Sequence, residues 1–128
     1  MSLDWNTGLV AHLGIEFVEV GRDKVVATLK ITPNLLTTTG TVHGGTLMAF
    51  ADTIGAAGTV ANLAPEQSTA TLESKTNFFA AGPEGGILRG ESTPLHIGRR
   101  TMVWQTRITS GDALVALVTQ TQMVLAQS

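Results

Sequence analysis

The segment from Gly44 to Val60, GGTLMAFADTIGAAGTV, constrains this chain more than any other. It contains no proline and one charge, Asp52, and Leu47, Met48, Ala49, Phe50, Ala51, Ile54, Ala56, Ala57 and Val60 leave it no polar face. A helix that is apolar all round is a buried helix. At i±3 and i±4 from Asp52 stand Met48, Ala49, Gly55 and Ala56, so no cation on the same helix neutralises the carboxylate. A carboxylate buried there is costly unless a group from elsewhere pairs with it or the protein uses it. The remainder of the chain is expected to wrap this helix.

The flanking segments supply the wrapper. Leu3 to Leu13 carries a weak amphipathic helical pattern with Gly8 inside it and Gly14 after it. Ile15 to Val20 reads as a strand, Gly21-Arg22-Asp23 as a turn, and Lys24 to Thr32 as a second, alternating strand stopped by Pro33. Asn34 to Val42 is a Thr-rich loop entering the helix. Beyond Ala64-Pro65-Glu66, four strands follow: Ser68–Phe79, Ile87–Ile97, Thr101–Thr109 and Ala113–Ala126. In the first of these, strict alternation puts Ala70, Leu72, Ser74, Thr76 and Phe78 on one face and Thr69, Thr71, Glu73, Lys75, Asn77 and Phe79 on the other. Pro94 in the second marks an edge or a bulge. The connecting turns are short, which imposes antiparallel neighbours. The expectation is one α+β domain over residues 1–128, a long antiparallel sheet around one central buried helix.

Composition excludes several functions. With 128 residues, 43% hydrophobic and 14% charged, the chain can bury a real core. A net charge of −2 offers nothing to attract nucleic acid or an anionic membrane. The absence of cysteine removes thiolate and disulfide chemistry, a pattern compatible with the cytoplasm. The N-terminus, MSLDWN, lacks a basic region followed by an apolar run, so no signal peptide is expected, and the Gly- and Ala-rich helix is too weakly hydrophobic for a membrane span. The three histidines, His12, His43 and His96, show no metal-ligand spacing, and no metal site is expected. No nucleophile elbow, Walker A or dinucleotide fingerprint is present.

Two features remain that can carry chemistry. Gly44 and Gly45 open the helix, so their N–H groups lie among its unpaired N-terminal donors and suit an anion or a developing oxyanion, unless the pair serves only close packing. Asp52 is either a buried acid paired with an arginine or capping backbone groups, or a functional carboxylate. Gly44 and Asp52 are eight residues apart, about 12 Å of helical rise. One carbonyl cannot meet both at once. If both act on one substrate they come from two protomers, and small residues Gly55, Ala56, Ala57 and Gly58 would let another backbone approach. His43, immediately before Gly44, either positions the loop and contacts substrate or plays a capping or core role. Arg99 and Arg100 could take a phosphorylated small molecule, whereas Arg89 and Arg107 read as ordinary solvated charge. Phe78 and Phe79 read as core and interface.

The stretches Gly40-Thr-Val-His43-Gly-Gly-Thr with Asp52-Thr53, and Pro94-Leu-His-Ile-Gly-Arg-Arg-Thr-Met-Val-Trp-Gln105, resemble hotdog-fold acyl-CoA thioesterases of the phenylacetic-acid-pathway type. They are also similar to the hydroxybenzoyl- and dihydroxynaphthoyl-CoA thioesterases, the second stretch most to the naphthoyl branch. The resemblance covers the chain from Leu13 to its last strand. It implies Asp52 as catalytic carboxylate, Gly44 N–H as donor to the thioester oxygen with His43 and Gly45 beside it, and Thr53 following the acid. It implies Thr71 where relatives hold a Ser or Thr that orients water, and His96, Gly98, Arg99 and Arg100 near the nucleotide of coenzyme A. Thr37 departs from the pattern, standing where the family holds Asn or Gln, and Ala56 stands where the Glu-containing branches hold Ser or Thr. The expected activity is hydrolysis of a small aromatic acyl-CoA to free acid and CoA, with no cofactor and with a homodimer as the minimal active unit, assembled into a homotetramer. The alternatives are a non-catalytic acyl-CoA-binding hotdog protein and an acyl-CoA dehydratase or hydratase, whose His-based motif is not found.

Overall fold

A computed structural model of the chain describes residues 3–126. Helix α1 (Gly8–Leu13) leads into strand β1 (Ile15–Val20) and strand β2 (Val25–Lys30). A 3-10 turn (Pro33–Leu35) and loop then enter helix α2 (Gly44–Ala61), which is followed by β3 (Ser68–Phe78), β4 (Ile87–Ile97), β5 (Thr101–Ser110) and β6 (Ala113–Leu125). The strands form one antiparallel sheet in the order β1-β2-β4-β5-β6-β3. This is the expected α+β wrapper, with β3 returning after the helix to pair with β6 at the far edge.

The core lies between the concave face of the sheet and α2. Leu47, Phe50, Ala51 and Ile54 of the helix are buried with Val25, Leu29, Ile31, Leu88, Ile108, Val115 and Val118. Burying each large side chain of this kind contributes about 1.5–3 kcal/mol. Two polar side chains of the sheet also press into the helix. The Trp104 indole N–H donates to Thr59 Oγ1 at 2.9 Å, and Gln120 Nε2 donates to Ala51 O at 3.0 Å and Asp52 O at 3.3 Å. Both need a glycine opposite: a Cβ on Gly58 would stand 2.5 Å from the Trp104 ring, and one on Gly55 2.1 Å from Gln120 Nε2. The small residues of α2 therefore admit side chains of the chain's own sheet, where a second backbone was expected.

Three other expectations change. The first helix is shorter than Leu3–Leu13: it begins at Gly8, whose φ of +57° breaks the pattern, and it buries only Leu13. Helix α2 is not buried on every side, for Met48 is exposed and Ala49, Asp52, Thr53 and Ala56 are half-buried along one stripe. Strand β3 does not alternate strictly. Its register against β6 slips between Thr71 and Glu73, so Leu72 is an extra residue. Past it the phase reverses, and Thr71 joins Ser74, Thr76 and Phe78 on the helix side. The bulge expected at Pro94 is present, between Pro94 and His96, on a part of β4 that has outrun β2.

Candidate active site

Asp52 sits on the open stripe of α2, facing β3 across a pocket of about 280 Å³. The pocket is lined by Met48, Ala49, Asp52, Thr71 and Ser74. The Thr71 hydroxyl donates to Asp52 Oδ1 at 2.6 Å, a charge-assisted distance. Oδ2 has no protein partner, and no arginine or lysine pairs with the carboxylate, among the described residues. The structural alternative of an Asp52–Arg pair is thereby removed, and so is capping, since the carboxylate meets only the Thr71 side chain. Ser74 Oγ is buried without a hydrogen-bond partner among the described residues, as is Thr76 Oγ1 two positions on. An unpaired hydroxyl in a pocket wall is a donor held ready for something else.

The N-terminus of α2 is arranged by His43. Its side chain is the N-cap: Nδ1 accepts from Gly45 N–H at 2.7 Å, which places the proton of the neutral ring on Nε2. Its carbonyl accepts from Thr46 N at 2.9 Å and Leu47 N at 3.2 Å. Of the two glycine donors expected to be open, Gly45 is thus satisfied within the loop. Gly44 N–H has no partner among the described residues. The Phe78 ring packs on Gly44, 3.2 Å from where a Cβ would lie, and gives this donor an apolar wall. Gly44 does not line the Asp52 pocket. Helix α2 is continuous between them, so the separation of about 12 Å stands.

The other residues named from the sequence are distributed as follows. Thr53 Oγ1 donates back to Ala49 O at 2.7 Å and so spends its proton on its own helix. Thr37 lies in the entry loop with its hydroxyl 2.7 Å from that of Thr39 and is not a hydrogen-bond partner of Asp52 in the same chain. His96 ends strand β4, Gly98, Arg99 and Arg100 form the β4–β5 turn, and none of the four lines the pocket. They stand at its end of the sheet, however. Met102, Gln122 and Thr71 are cross-strand partners in one row over β5, β6 and β3, and two strand spacings are about 10 Å. Arg89 pairs with Glu91 at 3.3 Å on the surface, as ordinary strand charge does.

Sequence reasoning missed Ser74, Gln120 and Gln122. Ser74 was assigned to the face opposite Thr71, and only the bulge at Leu72 brings the two together. The glutamines did leave a signal. Val118, Gln120 and Gln122 share one face of β6 and all are buried, and a polar residue on a buried face needs a partner.

A long antiparallel sheet wrapped around one helix, with an acid and an open helix N-terminus on that helix, is the hotdog architecture of thioester hydrolases. The family model of the Thioesterase superfamily matches residues 39–116, and the chain belongs to that superfamily. The 1,4-dihydroxy-2-naphthoyl-CoA hydrolase of Listeria monocytogenes is 30% identical over 102 residues, covering 80% of this chain and 82% of that protein. A thioesterase of Haemophilus influenzae has the same fold at a TM-score of 0.88 and 28% identity, over 94% of this chain and 84% of that one. A protein of Streptococcus pneumoniae described as a hypothetical thioesterase and solved with coenzyme A gives a TM-score of 0.81 at 28% identity, over 88% and 87% of the two chains.

Proposed function

We propose that this protein hydrolyses a small aromatic acyl-CoA to free acid and CoA in the cytoplasm, with water as the only co-reactant. The observation that carries the reading is the Asp52 carboxylate, which lines the pocket with one oxygen bonded to Thr71 and the other without a partner, and with no cation paired to it among the described residues. Oδ2 either attacks the thioester carbonyl, giving a mixed anhydride that water then opens to free acid and the Asp52 carboxylate, or takes a proton from the attacking water. In both cases the carbonyl oxygen gains charge that Gly44 N–H, at the positive end of α2, stabilises, and the CoA thiolate leaves. The unpaired Ser74 hydroxyl supplies a further donor to the acyl group. The coenzyme A held by the pneumococcal protein supports a CoA thioester, with Arg99 and Arg100 suited to its phosphates. The Listeria hydrolase supports an aromatic acyl group, for which Met48 and Phe78 offer apolar surface.

Because Gly44 and Asp52 cannot reach one carbonyl within a chain, the active unit is proposed to be a homodimer, two of which form a tetramer. Strand β3 supports this reading. It is an edge of the sheet, it carries Thr71, and Leu72, Phe78 and Phe79 on or beside it are all more than half exposed. Such an edge is a template for pairing with another chain.

The test is release of free thiol from a panel of aromatic and aliphatic acyl-CoAs. Asp52→Ala is expected to lower kcat by about 10²–10⁴-fold. Equal rates for the variant and the wild type would remove Asp52 from the mechanism, and thiol release from no substrate would leave a binding protein. Single turnover in H₂18O identifies the nucleophilic role: label in the Asp52 side chain means that the carboxylate attacked and that water opened the anhydride at the aspartyl carbonyl.

A further inference from the structure

Gln122 is buried to 1% exposure on the helix side of β6, and its polar atoms lead to one place. Nε2 donates to Thr71 Oγ1 at 2.8 Å, and Thr71 Oγ1 donates to Asp52 Oδ1 at 2.6 Å. On the other side, Oε1 lies 3.1 Å from the Thr69 hydroxyl, which also reaches Met123 O at 2.8 Å.

The proton count fixes the direction of this chain. A threonine hydroxyl has one proton, and an ionised carboxylate can only accept. The Thr71 proton is therefore on the bond to Asp52, and its oxygen can only accept from Gln122. The amide presents Nε2 to Thr71 and Oε1 to Thr69, whose one proton is shared between Oε1 and Met123 O. Rotating the amide by half a turn would place Oε1 against Thr71. The competition for a proton would then move to Thr71 and weaken its charge-assisted bond to the carboxylate, a greater loss than sharing the Thr69 proton between two neutral oxygens.

We propose that Gln122 is a positioning residue for the proposed hydrolysis: by donating to Thr71 it commits the Thr71 proton to Asp52 Oδ1 and leaves Oδ2 as the oxygen presented to substrate. The inference rests on Asp52 being the reacting carboxylate. The amide does not line the pocket, so it acts only through Thr71. Bonds in such a chain polarise one another, so loss of the first donor weakens the second bond. The carboxylate then gains rotational freedom, which costs turnover more than substrate affinity.

The experiment is a double-mutant cycle on steady-state thioester hydrolysis. Gln122→Met keeps the length of the side chain and removes the amide. It is expected to lower kcat about five- to tenfold with KM changed by less than about twofold. Thr71→Val should cost a comparable factor, and Gln122→Met added to Thr71→Val should cost nothing more, because the link is already broken. A packing role predicts the opposite, a loss that multiplies in full with that of Thr71→Val, and that result overturns the proposal. Unchanged kcat in folded Gln122→Met overturns it too. A catalytically silent Asp52→Ala alongside fully active Gln122→Met would reject the relay alone, whereas fully active Asp52→Ala would reject the site. If Gln122→Met does not fold, the side-chain amide resonances of Gln122 are compared between wild type and Asp52→Asn. The relay requires them to move, and unmoved resonances overturn it.

Discussion

At the scale of single residues, the site is defined by which hydrogen-bond donors are spent and which are spare. Thr53 spends its proton on Ala49 O and Thr37 lies beside Thr39, so neither bonds to the carboxylate of its own chain. Thr71, nineteen positions from Asp52 in the chain, does reach it. The expectation that follows is asymmetric. Thr71→Val should lower kcat by about tenfold through loss of one charge-assisted bond, while Thr71→Ser, which keeps the hydroxyl, should retain most of the rate. Thr53→Val should leave turnover within about twofold, since only a bond to its own helix is lost. Steady-state kinetics on the three variants checks the ordering, and a Thr53→Val defect as large as that of Thr71→Val would contradict it. The same reasoning separates the two glycines: Gly45 donates to His43 Nδ1 and Gly44 does not.

At the scale of elements, α2 is held where the sheet's own side chains enter it. Gly58→Ala would put a methyl 2.5 Å from the buried Trp104 ring. Overpacking of that kind costs about 1–3 kcal/mol, and a thermal melt should show Tm lowered by roughly 4–15 °C. These elements were largely legible from residue patterns, because Gly44–Ala61 is an apolar run without proline and the strands, β2 and β6 above all, are apolar stretches bounded by short turn segments. Pro94 signalled its bulge through its missing N–H. The bulge at Leu72 gave no such signal, since Thr71-Leu72-Glu73 contains neither glycine nor proline and its offset is set by pairing with β6. Asp52, Gly44 and Thr71 could be singled out by residue type and likeness to a family. The partition between Gly44 and Gly45 could not, because it depends on the direction of the His43 ring.

At the scale of the whole molecule, one chain presents Asp52 and the free Gly44 N–H, the two groups of the proposed reaction centre, at separated points of one helix. The described residues include no helix long and apolar enough to cross a membrane and no group of three metal-ligating side chains. What the chain does expose is the β3 edge with Leu72 and Phe78 at 59% and 52% exposure. If two chains close each site, inactive partners should rescue one another. Gly44→Pro removes the free N–H at the first helical position, where proline is tolerated, and His43 already has the extended conformation that a following proline requires. Mixed under conditions that exchange subunits, inactive Gly44→Pro and inactive Asp52→Ala should recover about a quarter of wild-type activity, from hybrid dimers with one intact site. No recovery despite exchange, or an active monomer in sedimentation, would place both groups in separate events.

The extra residue at Leu72 divides β3 into two segments of opposite parity. The segment before it delivers the hydroxyl that holds the acid; the segment after it delivers Ser74, Thr76 and the Phe78 ring to the substrate side. Because a bulge absorbs the offset between them, each segment can change its side chains without forcing the other to turn over. Deleting Leu72 would restore plain alternation, with Thr71, Glu73 and Ser74 still opposite Gln122, Thr121 and Gln120, so both hydroxyls should stay on the helix side and only the bend of the strand should be lost. On the proposed function, the holding of the acid and the recognition of the acyl group fall to two successive segments of one continuous strand.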